Sequence, residues 1–361
     1  MATLDRLDDP QESAASLPAM TAMTAMSPSV PPVAEMAAAT SAAPTAPPAE
    51  AEDELLEAAL DAQTQAAQAR PGRAPRPRIR EFEAIVEEAI RETADTTTLV
   101  FFTGSERMEY EAGQFLTIRP HQFPALDRFV KFFEDVKGKR EPARAYSMCS
   151  APHDRRLAVT IKEELYITGA TKYPPLMSPF LTYRVPPGTR MMLTGFGGPY
   201  VLPPDIESRT DHLIHVCAGS GIVPNMSIIR HCLETGMKLR HVLIYGNKTW
   251  DDIIFRRQFE ELAARHPGKL DIVHALSREA DVSRYGPNVR TGRVSEALLR
   301  EHIPDPAAAH VFTCGPGIGK FERQAAREKG EEPQPRFLET VLAGLKAIGV
   351  PRAHVHHEMY G

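Results

Sequence analysis

The chain has 361 residues, 42% hydrophobic and 25% charged, an ordinary balance for a globular protein with room for two domains and a tail. Its formal net charge is −5, yet residues 1–70 hold 11 acids against 2 bases, so the remaining body is mildly positive and suits anionic nucleotides or an acidic protein partner. No window approaches the apolar run of a membrane span, and no charged-then-apolar N-terminus suggests a secretory leader. The four cysteines, at 149, 217, 232 and 314, have neither metal-ligand nor disulfide spacing. A reducing cytoplasm is therefore the expected compartment, no nucleic-acid partner is expected, and no clustered cysteine run is present to hold an iron–sulfur centre.

Residues 1–50 are rich in Ala, Pro, Met, Ser and Thr with no apolar period, which predicts a disordered tail. Residues 51–69 fit an acidic amphipathic helix, either transient or a docking element. Arg70 to Pro77 is Pro- and Gly-rich and reads as a linker, so the tail is expected to span 1–75. Short β-rich runs follow at Phe82–Ile90, Thr97–Phe102, Phe115–Ile118, Ala145–Cys149, Leu157–Ile161 and Met191–Leu193, punctuated by Gly and Pro, and predict an antiparallel barrel. Between the third and fourth runs, residues 121–142 are longer than the connection needs, a helical or loop insertion without an assigned role. Ser178-Pro179 reads as an N-cap followed by Pro at the first helical position, an ordinary cap or an anion site.

After Pro204 the pattern changes. Apolar strands at His212–Ala218, His241–Tyr245, Leu270–Leu276, His310–Thr313 and Arg352–His357 alternate with helices that include Asp252–Ala264 and Arg336–Ile348, which predicts a parallel sheet wrapped by helices. Residues 319–335 read as a second insertion. The expected division is a barrel over 76–206 and an α/β unit over 207–361.

Several stretches carry chemistry. Arg144-Ala145-Tyr146-Ser147 puts an arginine fork, suited to phosphate oxygens, on the same strand face as a phenol ring. Gly219-Ser220-Gly221 follows a strand and opens a helix, so its backbone N–H groups can approach a pyrophosphate. Asn247 ends the second strand of this half, and Ser277-Arg278 ends the third, where a hydroxyl beside a guanidinium can hold a 2′-phosphate. Glu279, one residue on, can instead serve an adenine ribose. A cysteine at a strand end such as Cys314 is most simply a buried side chain.

In this order, Arg144-Ala145-Tyr146-Ser147, Gly219-Ser220-Gly221-Ile222-Val223-Pro224, Cys314-Gly315-Pro316-Gly317 and Glu358-Met359-Tyr360 resemble the motifs of the ferredoxin–NADP reductase superfamily, over roughly residues 76–361. The resemblance implies a two-domain flavoprotein with FAD on the barrel and NADPH, or less readily NADH, on the α/β unit. It implies hydride transfer to the flavin and single-electron release to a separate ferredoxin or oxygenase component. It further implies that Tyr146 stacks on the flavin, Arg144 and Ser178 touch its pyrophosphate, and Ser147 bonds the ring edge. Gly219, Ser220, Gly221, Pro224, Asn247, Ser277 and Arg278 would hold the nicotinamide dinucleotide, while Cys314 and Glu358 line the hydride path and the Tyr360 ring covers the flavin face opposite to Tyr146. Val223 stands where the superfamily usually has threonine, removing one hydroxyl contact, and the chain runs one residue past the aromatic, to Gly361. A flavin, ferric-chelate or quinone reductase with a small acceptor, and a non-catalytic nucleotide-binding sensor, are the alternatives.

Overall fold

A computed structural model describes residues 80–105, 107–168 and 171–360. The expected tail and linker over 1–75, including the amphipathic stretch 51–69, lie outside the described residues.

The first half is built from β1 (Arg80–Thr93), β2 (Thr96–Phe102), β3 (Phe115–Ile118), α1 (Asp127–Lys137), β4 (Arg144–Ser147), β5 (Leu157–Lys162), α2 (Met177–Tyr183) and β6 (Arg190–Gly197). Its strands form one antiparallel sheet in the order β4-β3-β6-β1-β2-β5. Strict alternation drives β1: Phe82, Ala84 and Val86 are buried while Glu81, Glu83 and Glu87 face out. Their inward faces, with Leu99, Phe101, Leu116, Ile118 and Leu193, make a core of their own. Gly113, at φ +95°, admits no side chain, because a Cβ would lie 2.0 Å from the Tyr200 carbonyl oxygen.

The second half follows through the short α3 (Ile206–Arg209), into which the expected boundary at 206/207 falls. It comprises β7 (His212–Ala218), α4 (Ile222–Glu234), β8 (Arg240–Asn247), α5 (Arg256–Arg265), β9 (Leu270–Leu276), β10 (Val289–Thr291), α6 (Glu296–His302), β11 (His310–Pro316), α7 (Lys320–Lys329), α8 (Phe337–Ile348) and β12 (Val355–Tyr360). All neighbouring strands are parallel, in the order β10-β9-β8-β7-β11-β12. Successive connections step outward from β7 to β10, then the chain returns to lay β11 on the other side of β7. The sheet therefore reverses its direction of growth between β7 and β11, which is where ligands of open α/β sheets collect.

The expected classes of both sheets hold, with corrections at element ends. The strand read as His310–Thr313 continues to Pro316, so Cys314 lies inside it. The strand expected at Arg352–His357 begins with a 3-10 turn (Arg352–His354) and runs instead over Val355–Tyr360, because these six residues pair with β11. The helix expected from Asp252 starts at Arg256, after a separate turn at Trp250–Asp252. The short β10 and α6 were not anticipated. The two stretches read as insertions hold α1 and α7.

α4 joins the halves. Every residue of its first two turns, Ile222 to Ile229, is buried, as in a helix held between two layers. One side packs with the parallel sheet and reaches Cys149 and Ala158 of the barrel, and the other meets Ala112 and Tyr200. Polar contacts reinforce this seam. Ser227 Oγ donates to the Ser150 carbonyl at 2.6 Å, and Arg230 grips both oxygens of Asp154 at 2.6 and 2.9 Å. Arg230→Ala is expected to cost about 2 kcal/mol by stranding a half-buried carboxylate. Adding Asp154→Ala should restore part of that loss, a non-additivity readable by urea unfolding.

Candidate active site at the barrel–sheet seam

The reversal point of the parallel sheet brings β7 and β11 side by side, and the turn after β7 crosses the end of β11. There Gly219 takes φ +52° and Gly221 touches Cys314 so closely that a Cβ on Gly221 would lie 2.1 Å from the Cys314 carbonyl oxygen. Two side chains tie back the carbonyls of this turn. Tyr245 Oη donates to Gly219 O at 2.9 Å, and Asn225 Nδ2 donates to Gly221 O at 3.1 Å. Pro224 sits in the first turn of α4, where its missing N–H leaves no unmet bond. Val223, at the position usually held by threonine, is wholly buried in the core.

Asn225 escaped the sequence reading. Its Oδ1 faces His215 Nδ1 at 2.7 Å and Tyr200 Oη at 3.2 Å, and His215 Nε2 faces His241 Nδ1 at 3.0 Å. Burial lowers both imidazole pKa values, His215 to about 4, so this chain of rings is neutral. The signal available was a lone asparagine in an otherwise apolar helical run, a polar group that must find partners once buried.

β12 pairs with β11 so that Glu358 lies opposite Cys314 and Tyr360 opposite Pro316. From the barrel side, β4 ends at Ser147, whose Oγ lies 3.5 Å from Glu358 Oε2. Ser147, Cys314, Glu358 and Tyr360 are thus brought together from both halves. Desolvation raises the Glu358 pKa from 4.5 to about 7, only partly offset by Ser147. The Cys314 thiol is pushed well up by burial and by the neighbouring Glu358 carboxylate, so it is a neutral thiol. The Tyr360 phenol is raised by burial first, then by Glu358 and Cys314. Ser147 is close enough to ease that ionisation slightly but makes no aligned bond to Tyr360 Oη, which is buried without a partner.

On β4, Arg144 and Tyr146 share a face and are both half-buried, as the alternation predicts. Tyr146 lies at the edge of the barrel core. Arg144 donates one bond to Glu141 Oε2 at 3.2 Å, leaving most of its five N–H donors for another anion. Ser178 departs from expectation. α2 begins at Met177, two residues before the expected Pro179, so Ser178 is not its cap, and its hydroxyl instead accepts the Glu164 N–H at 3.1 Å. Ser277 and Arg278 are exposed at the edge of the second sheet, and Ser277 Oγ donates to Asn247 O at 3.2 Å. Asn247 Nδ2 is buried with no acceptor in hydrogen-bonding geometry. Glu279 accepts from Trp250 N–H at 3.0 Å and Tyr285 Oη at 3.3 Å, and the two rings stack 4.3 Å apart.

These residues fit two dinucleotides. A turn with glycines at 219 and 221 and with the carbonyls of both tied back, an orphaned amide donor and an orphaned phenol line the α/β side, and an arginine with donors to spare lies on the barrel side. The buried carboxylate also makes stability depend on pH. Because the folded pKa of Glu358 is raised, its carboxyl favours folding fully below pH 4.5, and that contribution fades as pH rises to about 7, by about 3 kcal/mol in all. Glu358→Gln should flatten this slope in denaturation curves taken between pH 4.5 and 7. An unchanged slope would place the carboxyl in water.

Residues 215–324 match the family model described as oxidoreductase NAD-binding domain. The chain is 31% identical over 286 residues to the ferredoxin reductase component of 3-ketosteroid-9-alpha-monooxygenase from Mycolicibacterium smegmatis, covering 77% of this chain and 65% of that protein. It thus spans somewhat less than two thirds of that relative's length. It is 32% identical over 112 residues to human NADH-cytochrome b5 reductase 2, covering 30% of this chain and 39% of that one. Among solved structures it resembles an Amycolatopsis cytochrome P450 reductase (TM-score 0.59, 22% identity, covering 81% of this chain and 72% of that one). It likewise resembles Plasmodium falciparum ferredoxin-NADP+ reductase with 2'P-AMP (TM-score 0.54, 17% identity, covering 78% and 96%). With an antiparallel sheet leading into a parallel one and the glycine turn at the reversal point, the chain has the fold of ferredoxin-NADP+ reductase, carries an oxidoreductase NAD-binding domain and is similar to ferredoxin reductase components.

Proposed function

We propose that the chain is an NADPH-dependent flavoprotein reductase, with FAD on residues 76–206 and the nicotinamide dinucleotide on 207–361, passing electrons singly to a separate ferredoxin or oxygenase component. The observation that carries this reading is the meeting of Ser147 from the barrel with Cys314, Glu358 and Tyr360 from the parallel sheet, beside the Gly219–Gly221 turn. Bound flavin supplies the conversion between two-electron and one-electron chemistry.

The chain's own part is to bind, orient and exclude water. Tyr146 offers a ring face and Arg144 a phosphate fork from one side of β4. Ser178, already accepting one backbone N–H, keeps its own proton to donate to the pyrophosphate. The glycine turn and Asn247 take the second dinucleotide, with Pro224 opening the helix behind them. Cys314 and Tyr360 keep the hydride path dry, and Glu358, with a pKa near 7, can hold or release a proton beside Ser147 at neutral pH.

Preference for NADPH rests on charge. Ser277 and Arg278 stand exposed at the sheet edge, while the Glu279 carboxylate is committed to Trp250 and Tyr285 and so is poorly placed for a ribose hydroxyl. The names of the relatives, a ferredoxin reductase component of a monooxygenase and a cytochrome b5 reductase, are in keeping with a protein acceptor.

Anaerobic stopped-flow mixing of the flavin-loaded protein with NADPH and with NADH tests the reading. Fast bleaching of the flavin by NADPH and slow bleaching by NADH is the expected result. The reverse preference would move the ribose contact to Glu279, and no bleaching by either nucleotide would favour a sensor. Arg278→Ala should weaken NADPH binding by about 1.5–3 kcal/mol, the scale of a charged hydrogen bond, and leave NADH unaffected. Equal losses for both nucleotides would remove Arg278 from the 2′-phosphate site.

A further inference from the structure

The stretch 121–142, too long for the connection it makes, builds a second apolar face. Val130 and Phe133 of α1 are buried against the barrel side. On the outer side Phe129, Phe132 and Val136 recur at i, i+3 and i+7, one helical stripe, and remain 58%, 59% and 50% exposed. Single exposed apolar side chains are unremarkable, but a contiguous stripe extended by Pro124, Ala125 and Pro174 into one shallow depression marks a surface built to be covered.

Charge says what covers it. Residues 119–144 hold seven basic and four acidic side chains. Three of those acids are already engaged: Glu134 with His121 at 2.7 Å, Asp135 with Lys131 at 3.3 Å, and Glu141 with Arg144 at 3.2 Å and with Lys137. Arg128, Lys139 and Arg140 face solvent around the stripe. An apolar spot with a basic rim complements an acidic protein surface. Position says why. The buried Glu141 carboxylate bonds the last residue of α1 and the first residue of β4, so the helix is pinned to the strand that carries Arg144 and Tyr146.

We propose that the outer face of α1 is the docking surface for the separate one-electron carrier, a protein with an acidic rim around an apolar spot. The inference rests on the reductase reading above and names where its acceptor sits. The Phe129/Phe132/Val136 stripe supplies the contact that excludes water, and the basic rim steers and orients the encounter.

A plant-type [2Fe–2S] ferredoxin serves as the probe. Its oxidised form is titrated calorimetrically onto the oxidised, flavin-loaded protein, and reduction of ferredoxin and of ferricyanide by NADPH is followed in parallel. Phe129→Ser/Phe132→Ser should weaken ferredoxin binding about tenfold or more, while ferricyanide reduction stays within about twofold of the parent. Lys139→Glu/Arg140→Glu should weaken binding at low salt and much less at high salt. No binding by the parent chain, undiminished binding by both variants, or equal loss in the two reduction assays overturns the proposal. So does co-sedimentation with phosphatidylserine vesicles, or a parent dimer, that these variants abolish, since either gives the face another occupant. If NADPH fails to reduce the flavin yet ferredoxin binding follows the variants, the reductase reading fails and the docking surface stands.

Discussion

Two strand ends meet at the reversal point of the parallel sheet, and the backbone of one presses against the backbone of the other. A Cβ on Gly221 would lie 2.1 Å from the carbonyl oxygen of Cys314, so the turn after β7 can cross β11 only where there is no side chain. Much of the candidate site hangs on this contact. It sets the N-terminus of α4, places Cys314 beneath the turn, and, through the pairing of β11 with β12, brings Glu358 and Tyr360 to the same end of the sheet. Tyr245 and Asn225 secure the crossing by bonding the carbonyls of the turn.

α4 turns this local geometry into a relation between the two halves. Its first two turns are buried on every side, covered once by the parallel sheet and once by the barrel. That double cover fixes β4 against the end of β12, and Ser147 meets Glu358 as a result. The same burial strips water from Glu358 and raises its pKa to about 7. One packing constraint thus gives both the convergence of the residues and the electrostatics that would let a carboxyl trade protons at neutral pH.

Around this interior the chain has added elements that serve other ends. α1 contributes two side chains to the interior and turns a stripe of three outward. Pinned through Glu141 to the strand that carries Arg144, it gives the barrel a rim of mixed apolar and basic character close to the proposed flavin clamp. Beyond the ends of β8 and β9, the stacked Trp250 and Tyr285 absorb the carboxylate of Glu279 and leave Arg278 exposed. Specificity for acceptor and for nucleotide would then reside in peripheral elements that can vary without disturbing the crossing of β7 and β11.

Local rules made much of this legible. Alternation in the first half of β1, the continuous apolar run of β7 and the glycines at 219 and 221 depend on near neighbours in the chain, because side-chain periodicity and backbone freedom are properties of a few residues at a time. The two sheet classes and their order could therefore be read directly, and motif order pointed to the family. What the sequence could not carry was anything decided by a partner distant in the chain. Cys314 reads as lying past a strand end and proves to be within one, since β11 pairs with β7 through Cys314 and with β12 on to Pro316. Ser178 reads as a cap and is an acceptor for Glu164, because the loop after β5 folds back on α2. Asn225 reads as an oddity in an apolar helix and proves to link Tyr200, His215 and the glycine turn. The amino-acid sequence by itself determined most of the strands, their order and the class of each sheet. The tertiary structure alone decided which residues lose their water and which keep a free donor, since burial and hydrogen-bond competition are settled by packing between segments far apart in the chain.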